Sequence, residues 1–552
     1  MSGRPADFWP RTLPRHLTIP QTNLFFNLEV SAARYPDKPA VIFYDTPLSY
    51  ADLKQEVELV AGYLQSECGV QRGDRVLLYM QNSPQFIVAY YAILRANAVV
   101  VPVNPMNLTE ELRHYVSDTG ASTIFVPQDL YQQVAPLAGA GLRHVLVAAY
   151  SDHLTRPTDL NVPEFVAAPR RQIAGEGVVL WGDMLARGCR PGPLLAGPDD
   201  LCAMPYTSGT TGLPKGCMHT HRSVMYNAVA GVQWFGAQQD SIALSVLPLF
   251  HVTGMQGGMN GPIFIGGTIV LMARWDRDTA AECIRRHRAN ATQLISTMVI
   301  DLLSSPRIDE YDLSSITRLS GGGAAMPDAI AQKMHDLLGI DYVEGYGMSE
   351  TIAPTHVNPS DRTKKQCLGI PIQDVDARVV DADMRPLGVG EVGEIVVHGP
   401  QVMLGYWNNP RATAETFIEI DGKRFLRTGD IGRVDEDGYF FMVDRLKRMI
   451  NASGYKVWPA EVEALMYRHP AIREVCVVSS NDPRRGETVK AVVALKDGFG
   501  DSVREQDIVD WAHQNMAAYK SPRIVEFCET LPKSATGKVQ WRALQGRPAE
   551  VE

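Results

Sequence analysis

The sequence lacks several patterns that mark common classes of protein. Its 552 residues carry a formal net charge of −9, and no run of Lys or Arg forms the basic face that nucleic acid binding requires. The eight cysteines are scattered and none belongs to a C-x-x-C pair, so neither a zinc site nor a disulfide framework is expected. We therefore expect reduced, buried thiols and no nucleic acid partner.

The sequence also lacks an apolar run long enough to span a bilayer, which takes about 20 residues. The most apolar stretch, 86–103, is interrupted by an arginine and an asparagine. We interpret it as the end of a buried helix, Pro84 to about Ala96, followed by a core strand, Val99–Val103. The first 20 residues have no apolar region of the kind found in signal peptides, so the cytoplasm is the expected location.

The length exceeds what one hydrophobic core usually organises, so at least two domains are expected. Short β-rich runs alternate with segments of helical spacing, which is typical of α/β layers with largely parallel sheets. These runs are Pro39–Phe43, Arg75–Tyr79, Val99–Val103, Ser122–Val126 and His144–Val147. From 369 to 441, short strands with turn signals predict a small antiparallel sheet or barrel. The α/β pattern after it is long enough for a separate small domain.

The strongest local signal is the segment Tyr206–Gly216, with the sequence YTSGTTGLPKG. It lies between a strand candidate, Leu201–Pro205, and a helix candidate that begins near Thr220 or Ser223. Glycine lets backbone N–H groups turn toward an anion, and hydroxyl and ammonium groups add donors. The candidate phosphate-binding residues are Thr207, Ser208, Gly209, Thr210, Thr211, Gly212 and Lys215. The Walker A spacing is absent, which disfavours an ordinary P-loop nucleotide hydrolase; a plain surface loop is the alternative.

This loop resembles the signature of the adenylate-forming superfamily, which includes acyl-CoA synthetases, peptide synthetase adenylation domains and luciferase-like enzymes. Blocks similar to those of the family follow in the same order. They are Leu247–His251 (LPLFH), Ser320–Pro327 (SGGGAAMP), Glu344–Thr351 (EGYGMSET), Leu426–Asp430 (LRTGD), Asp444–Arg445 (DR) and Leu531–Lys538 (LPKSATGK). The resemblance implies a large N-terminal domain, 1–446, of two α/β subdomains and the β-rich part, 369–441. It also implies a small mobile α+β C-terminal domain, 447–552, with a hinge at Lys447.

The resemblance assigns the nucleotide to residues whose chemistry suits it. Tyr346 can stack on adenine and Ser349 can bond a phosphate oxygen. Asp430 can accept hydrogen bonds from the ribose hydroxyls, and Arg445 can donate to ribose or phosphate. Relatives usually have Gly before this arginine, where this chain has Asp444. The remaining positions expected to border the nucleotide are Gly322, Gly323, Ala324, Gly345 and Gly347.

The resemblance also implies the catalytic residues. Glu350 and Thr211 would hold Mg²⁺, which usually takes one or two carboxylates plus substrate phosphates. The ammonium group of Lys538 can pair with both the incoming carboxylate and an α-phosphate oxygen, which holds two mutually repelling anions together. His251 would border the acid pocket, where a positioning role fits better than proton transfer.

Coenzyme A is the expected acceptor of the activated acid. The segment 448–457 resembles the loop that enters the active site in the second half-reaction, where Gly454 would let the pantetheine arm pass close to the backbone. The residues expected to contact CoA are Ser453, Gly454, Tyr455, Lys520 and Arg523. The two basic residues among them are also of a kind that commonly faces solvent.

Family position places an acid pocket among mostly apolar residues. They are Trp234, Phe235, His251, Met255, Met298, Val299 and Gly321. No Asp or Arg stands among them to pair with a second charged group on the acid, so a nonpolar carboxylate is favoured over an amino acid or a diacid.

The function implied is an ATP- and Mg²⁺-dependent acyl-CoA ligase for a medium- or long-chain fatty acid, forming acyl-AMP and pyrophosphate and then the CoA thioester. An aryl-acid CoA ligase is the alternative, followed by a luciferase-like oxidative enzyme and a nucleotide-binding protein without catalysis. A monomer and a homodimer are both left open.

Overall fold

The structure of the chain is a computed structural model that describes residues 9–207, 213–323, 326–445, 448–452, 455–482, 486–500, 502–534 and 538–545. The chain divides into two compact units. The larger unit comprises Ala6–Asp376 and His398–Phe417, and the smaller unit comprises Met1–Pro5, Ala377–Val397 and Ile418–Glu552. Compactness thus groups the β-rich region with the C-terminal region. The boundary at 446/447 stays a prediction, and the hinge candidate Lys447 lies outside the described residues.

A nine-stranded sheet lies in the larger unit. Its strands, in spatial order, are Ile370–Pro371, Ala353–Val357, Tyr342–Met348, Arg318–Gly322, Ala291–Gln293, Ile242–Ser245, Thr268–Leu271, Pro39–Phe43 and Thr46–Ser49. The six central strands are parallel and the flanking ones antiparallel. The predicted strand Pro39–Phe43 is confirmed.

A seven-stranded sheet forms the second layer of the larger unit. Its strands, in spatial order, are His219–Thr220, Leu201–Ala203, Val99–Pro102, Arg75–Leu78, Thr123–Pro127, His144–Ala148 and Val178–Leu180. Successive residues of one strand, such as Val76 and Leu77, belong to two different hydrophobic clusters. Because side chains alternate between the faces of a strand, this sheet is buried on both sides, which explains the continuous apolar runs in the sequence.

Helices cover these sheets, and several begin with the residues that helix starts require. Ser83 accepts a hydrogen bond from the N–H of Phe86, and Pro84 occupies the first turn, so the buried helix Pro84–Arg95 begins where the sequence predicts. The other helices of the larger unit are Phe25–Arg34, Tyr50–Ser66, Thr109–Thr119, Tyr131–Val134, Glu164–Ala167, Trp181–Ala186, His221–Trp234, Gly261–Ile265, Arg277–His287, Ser296–Leu303, Asp328–Leu338 and Pro410–Thr416. In the described part of the chain, no helix has the length and apolar character to cross a bilayer.

The smaller unit contains the β-rich region and the C-terminal α/β segment. The first sheet comprises Asp376–Val380, Gly393–His398, Lys423–Val434, Phe417–Ile420 and Phe440–Arg445, and the second comprises Tyr455–Val457, Ile450–Ala452, Gly486–Leu495, Ile472–Asp482 and Ile524–Phe527. Lys423–Val434 runs antiparallel to two of its neighbours, as the turn signals predict. The helices are Pro459–Met466, Glu505–Asn515 and Trp541–Gln545. The mixed α/β fold class is confirmed.

Candidate active site

The glycine-rich segment begins and ends on a two-residue antiparallel pairing. Thr207 lies opposite Lys215, and Tyr206 lies opposite Gly216. The segment precedes the helix His221–Trp234, where the side chain of Thr220 accepts a hydrogen bond from the N–H of Ser223, so the predicted helix start is confirmed. The middle of the loop, Ser208–Gly212, lies outside the described residues. The pairing holds Thr207 and Lys215 side by side at the two ends of the candidate phosphate loop.

Lys215 and Glu350 are linked by Tyr406, a residue that the sequence did not reveal. The Lys215 ammonium lies 4.1 Å from the centre of the Tyr406 ring. The Tyr406 hydroxyl donates a hydrogen bond of 2.7 Å to Glu350 Oε1. Burial and the neighbouring Glu350 carboxylate raise the pKa of Tyr406, so it stays a phenol and a donor. A cation, an aromatic ring and a carboxylate therefore form one connected array beside the phosphate loop.

The backbone holds this array in register. The Met218 N–H donates to Gly405 O at 3.0 Å, and the Trp407 N–H donates to Gly216 O at 2.8 Å. The residues on either side of Tyr406 are thus hydrogen-bonded to the backbone of residues 216 and 218, which follow the phosphate loop.

The block Glu344–Thr351 begins within the strand Tyr342–Met348 and ends in the short 3-10 helix Ser349–Thr351. The Glu350 carboxylate is 8% exposed. The His219 ring nitrogen Nε2 is bonded to Ser349 O at 2.7 Å, and burial lowers the pKa of His219 to about 4. His219 is therefore a neutral ring that fixes the turn. Tyr346 is mostly buried, with its ring 5.6 Å from that of His356.

The strands Arg318–Gly322 and Tyr342–Met348 pack so closely that glycine is required at their carboxyl ends. A Cβ at Gly321 would lie 2.0 Å from the Tyr342 hydroxyl, and one at Gly322 would lie 2.3 Å from Gly345 O. Gly323 has a φ of 87°, which favours glycine. The next position, Ala324, lies outside the described residues. These glycines let the strands Arg318–Gly322 and Tyr342–Met348 lie close together at their carboxyl ends.

Glu344 ties the glycine-rich turn to the strand behind it. Its carboxylate accepts hydrogen bonds from the N–H of Met326 at 2.6 Å and the N–H of Cys367 at 2.9 Å. Burial nevertheless raises the pKa of Glu344 to about 7. Sequence analysis quoted Glu344 within its block but gave it no role.

In the smaller unit, Asp430 and Arg445 are opposite each other on adjacent antiparallel strands. Asp430 is 2% exposed. The unusual Asp444 has a structural function here, because its Oδ2 accepts a hydrogen bond of 2.6 Å from the N–H of Ala460. Ala460 lies in the first turn of the helix Pro459–Met466, where a carboxylate is favoured by the helix dipole.

Of the remaining predicted residues of the smaller unit, Lys538 and Arg523 are exposed and Lys520 is partly buried. Lys538 is exposed, and its N–H donates to Ser534 Oγ at 3.3 Å. The Lys520 ammonium pairs with Glu461 at 2.5 Å, and Arg523 is exposed. Ser453 and Gly454 lie outside the described residues, and Tyr455 begins the strand Tyr455–Val457.

A cavity of about 130 Å³ lies between the nine-stranded sheet and two helices of the larger unit. Phe235 lines it, as do Gly231 and Val232 from the helix His221–Trp234, which Phe235 directly follows. Arg318 also lines it; sequence analysis missed this arginine because it precedes the glycine block by two residues. Its guanidinium donates to Ser241 Oγ at 2.7 Å and to Asn290 Oδ1 at 3.1 Å.

Other residues assigned to the acid pocket have different surroundings. Trp234 is buried, and its Nε1–H donates to Asn358 O at 3.0 Å. Met255 and Val299 are fully buried in the main hydrophobic cluster, against which Met298 packs. The N–H of Thr253 donates to Nδ1 of the half-buried His251 at 3.4 Å. The acid pocket assignment stays a prediction.

A family model described as AMP-binding enzyme matches residues 28–407, and one described as AMP-binding enzyme C-terminal domain matches residues 461–538. A long-chain-fatty-acid–CoA ligase of Bacillus subtilis is 34% identical, over 97% of this chain and 96% of that protein. A feruloyl-CoA synthase of Amycolatopsis is 35% identical, over 91% and 94%.

Solved structures are similar over nearly the whole chain. The anthranilate CoA ligase AuaEII, in complex with anthranoyl-AMP, aligns with a TM-score of 0.84 and 26% identity, over 96% of this chain and 97% of that chain. ATP-bound MatB from Rhodopseudomonas palustris aligns with a TM-score of 0.83 and 28% identity, over 95% and 98%.

Proposed function

The chain belongs to the AMP-binding enzyme family, and from this we propose the reaction that it catalyses and the residues that carry it. It is an acid–thiol ligase that consumes ATP. The observation that carries this conclusion is the match of 34% identity to a long-chain-fatty-acid–CoA ligase over 97% of the chain. We propose a medium- or long-chain fatty acid as substrate. An aryl acid is the second candidate, favoured by the 35% identity to a feruloyl-CoA synthase.

The reaction has two half-reactions. The carboxylate attacks the α-phosphate of ATP in line, which forms the acyl–AMP anhydride and releases pyrophosphate. The thiol of CoA then attacks the acyl carbon, which forms the thioester and releases AMP. Neither step needs a nucleophile from the protein, so catalysis consists of positioning and charge neutralisation.

The array at the phosphate loop suits this chemistry. Lys215 would neutralise charge on the β- and γ-phosphates, together with the hydroxyl of Thr207 and those of the loop. Glu350 would hold Mg²⁺, since one carboxylate together with phosphate oxygens satisfies this ion. When bound, Mg²⁺ would neutralise phosphate charge. Tyr406 would orient the carboxylate of Glu350 through its 2.7 Å hydrogen bond.

The other roles are proposals that follow from the family. Tyr346 would stack on adenine, Asp430 would bind the ribose, and Lys538 would pair with the carboxylate and the α-phosphate in the first half-reaction. We also propose a cytoplasmic location. Light scattering would distinguish a monomer from a homodimer.

The proposed function is tested by a pyrophosphate-release screen over C2–C18 fatty acids and aryl acids, with and without CoA. Release with acid alone, and AMP plus thioester when CoA is added, are the expected results. No release with any acid would contradict the proposal.

The role of Lys538 is tested separately. Lys538→Ala should lower the rate of acyl-AMP formation by a factor of about 100 or more, because a charged partner of the transition state is removed. Thioester formation from supplied acyl-AMP should change little. The control is Lys496→Ala, because Lys496 bonds the backbone of Pro470 at the surface. Equal losses in both half-reactions would contradict this role.

A further inference from the structure

The floor of the cavity consists of two rows of side chains from three parallel strands. Ala243, Ala291 and Arg318 are in register across the strands and form the first row. Side chains two residues further along a strand return to the same face. The second row is therefore Ser245, Gln293 and Ser320, with Gln293 and Ser320 directly in register. Both rows line the cavity.

Two consecutive glycines in the π-helix Gly254–Asn260 make room for the second row. A Cβ at Gly257 would lie 2.1 Å from Gln293 Oε1, and a Cβ at Gly258 would lie 2.4 Å from Ser245 Oγ. Any larger residue at either position would displace a polar side chain. Irregular turns of this kind are frequent at functional sites. The roof of the cavity is thus shaped around the polar atoms of its floor.

Three polar atoms of the lining have no hydrogen-bond partner among the described residues: Ser245 Oγ, Gln293 Oε1 and Asn227 Oδ1. Ser245 and Asn227 are 3% and 2% exposed. The amide of Asn227 is oriented by two hydrogen bonds of 2.9 Å that its Nδ2 donates to Thr351 O and Ile352 O. Burying such atoms without partners costs free energy, so a ligand group is expected to satisfy them.

We propose that the acid carries a hydroxyl group on an otherwise apolar body, and that Ser245 and Gln293 bind this hydroxyl. The inference rests on the proposed function and specifies its substrate class. A hydroxyl can donate to Gln293 Oε1 and accept from the Ser245 hydroxyl at the same time. Several other lining residues, among them Val246, Leu247 and Phe235, are apolar and suit the rest of the acid.

A second carboxylate on the acid fits this cavity less well. Arg318 is the basic residue of the lining, and its guanidinium already donates to Ser241, Asn290 and the backbone of Phe235. The atoms without partners are neutral oxygens, and two of them can only accept. A neutral donor matches them, whereas an anion would be repelled.

The experiment compares matched acids that differ in one hydroxyl, using the full-length enzyme with ATP, Mg²⁺ and CoA. The pairs are 4-hydroxycinnamate with cinnamate and 10-hydroxydecanoate with decanoate. In at least one pair, kcat/KM for pyrophosphate release should be at least fivefold higher for the hydroxylated acid, because a site with unpaired polar groups discriminates against the analogue that lacks the partner.

Ser245→Ala and Gln293→Met should then lower this ratio below twofold, because the hydroxylated acid loses a hydrogen-bond partner that the other acid never had. The control is Thr123→Val, which also removes a buried hydroxyl that has no hydrogen-bond partner in the described part of the chain, but which lies in the other sheet, away from the cavity. It should leave the ratio unchanged. If Ser245→Ala yields no folded protein, Gln293→Met still tests the proposal.

Three results would overturn the inference. The first is a kcat/KM ratio below fivefold in both pairs of acids while the ligase is active. It would mean that water, and not a substrate hydroxyl, binds Ser245 and Gln293. The second is a preference for dicarboxylic acids, which would assign recognition to Arg318. The third is a ratio that survives both substitutions. None of these would affect the proposed ligase function, which fails only if no acid releases pyrophosphate.

Discussion

Two groups of polar side chains in the larger unit differ in whether their polar atoms already have partners within the protein. At the phosphate loop, Lys215, Tyr406 and Glu350 bind one another. In the cavity, polar atoms of Ser245 and Gln293 have no partner among the described residues. Groups that are already bonded are held in place before a ligand arrives, whereas unbonded groups gain their partners from the ligand. The first arrangement favours rate and the second favours selectivity between substrates.

In the array of Lys215, Tyr406 and Glu350, the largest effect is expected from removing the negative charge of Glu350. Glu350→Gln keeps the shape and the acceptor for Tyr406 but cannot neutralise Mg²⁺. We expect kcat/KM for pyrophosphate release to fall by a factor of about 100 or more. The control is Glu415→Gln, at an exposed i,i+4 pair with Arg411, which should have no effect. An activity within threefold of the wild type would show that Glu350 does not act on the metal.

Glu344 accepts two hydrogen bonds, yet its ionised form is destabilised by burial, so the free energy of unfolding should depend on pH. Its pKa is raised by burial from 4.5 to about 7. The folded state therefore holds the proton more tightly than the unfolded state, so this contribution to stability is present below pH 4.5 and is lost as the pH rises through 7. The shift corresponds to up to about 3 kcal/mol.

Glu344→Gln cannot ionise and should remove this loss. Urea unfolding between pH 5 and 8 is the measurement: the wild type should lose more free energy of unfolding over this range than the variant. Parallel profiles for the two proteins would show that Glu344 does not titrate there.

Tyr406→Phe tests whether the ring and the hydroxyl have separate functions. The substitution keeps the ring over Lys215 and removes the hydrogen bond to Glu350. A hydrogen bond to a charged group contributes about 1.5–3 kcal/mol, so we expect a rise of about tenfold in the Mg²⁺ concentration needed for half-maximal activity. The control Tyr79→Phe, which removes a hydroxyl bonded to Asn107 O, should lower Tm without this change. Equal Mg²⁺ dependence in both variants would contradict the orienting role.

The smallest effect is expected from Ser245→Ala. Because its hydroxyl has no hydrogen-bond partner among the residues that the structure describes, its removal should leave the free energy of unfolding unchanged or raise it by about 1 kcal/mol. Ser31→Ala removes a hydroxyl that donates to Ile263 O at 2.6 Å and should lower stability by a similar amount. Calorimetry compares the two. A loss of stability in Ser245→Ala as large as in Ser31→Ala would show that Ser245 is bonded in the folded enzyme.

The sequence predicted local structure well where one physical cause dominates. The strand at Arg75–Leu78 is buried on both faces and appears as an apolar run, and the helix from Pro84 is marked by Ser83 and the proline. In the C-terminal segment, the predicted helix Pro459–Tyr467 is observed as Pro459–Met466. The blocks that resemble those of the family could be recognised because each is a short contiguous run of residues, and the catalytic roles assigned to them stay predictions.

Residues that act through distant contacts were not predicted. Tyr406 is 56 residues from Glu350, and no local pattern links them. The row of Ser245, Gln293 and Ser320 depends on strand order and register, which bring together segments that are far apart in the chain. Arg318 was missed because it stands two residues before the glycine block, and only the register of the sheet places it beside Ala291.

The placement of Tyr406 in the chain has a consequence for biosynthesis. His398–Phe417 belongs to the larger unit, although the flanking segments Ala377–Val397 and Ile418–Glu552 belong to the smaller one. A nascent chain that has just emerged as far as residue 376 contains both sheets of the larger unit but not the phenol that bonds Glu350. Domains tend to fold as their chain leaves the ribosome, so the hydrogen bond from Tyr406 to Glu350 can form only after this later segment has emerged. Residues 398–417 are therefore the last part of the larger unit to be synthesised, and the larger unit is incomplete until they have emerged.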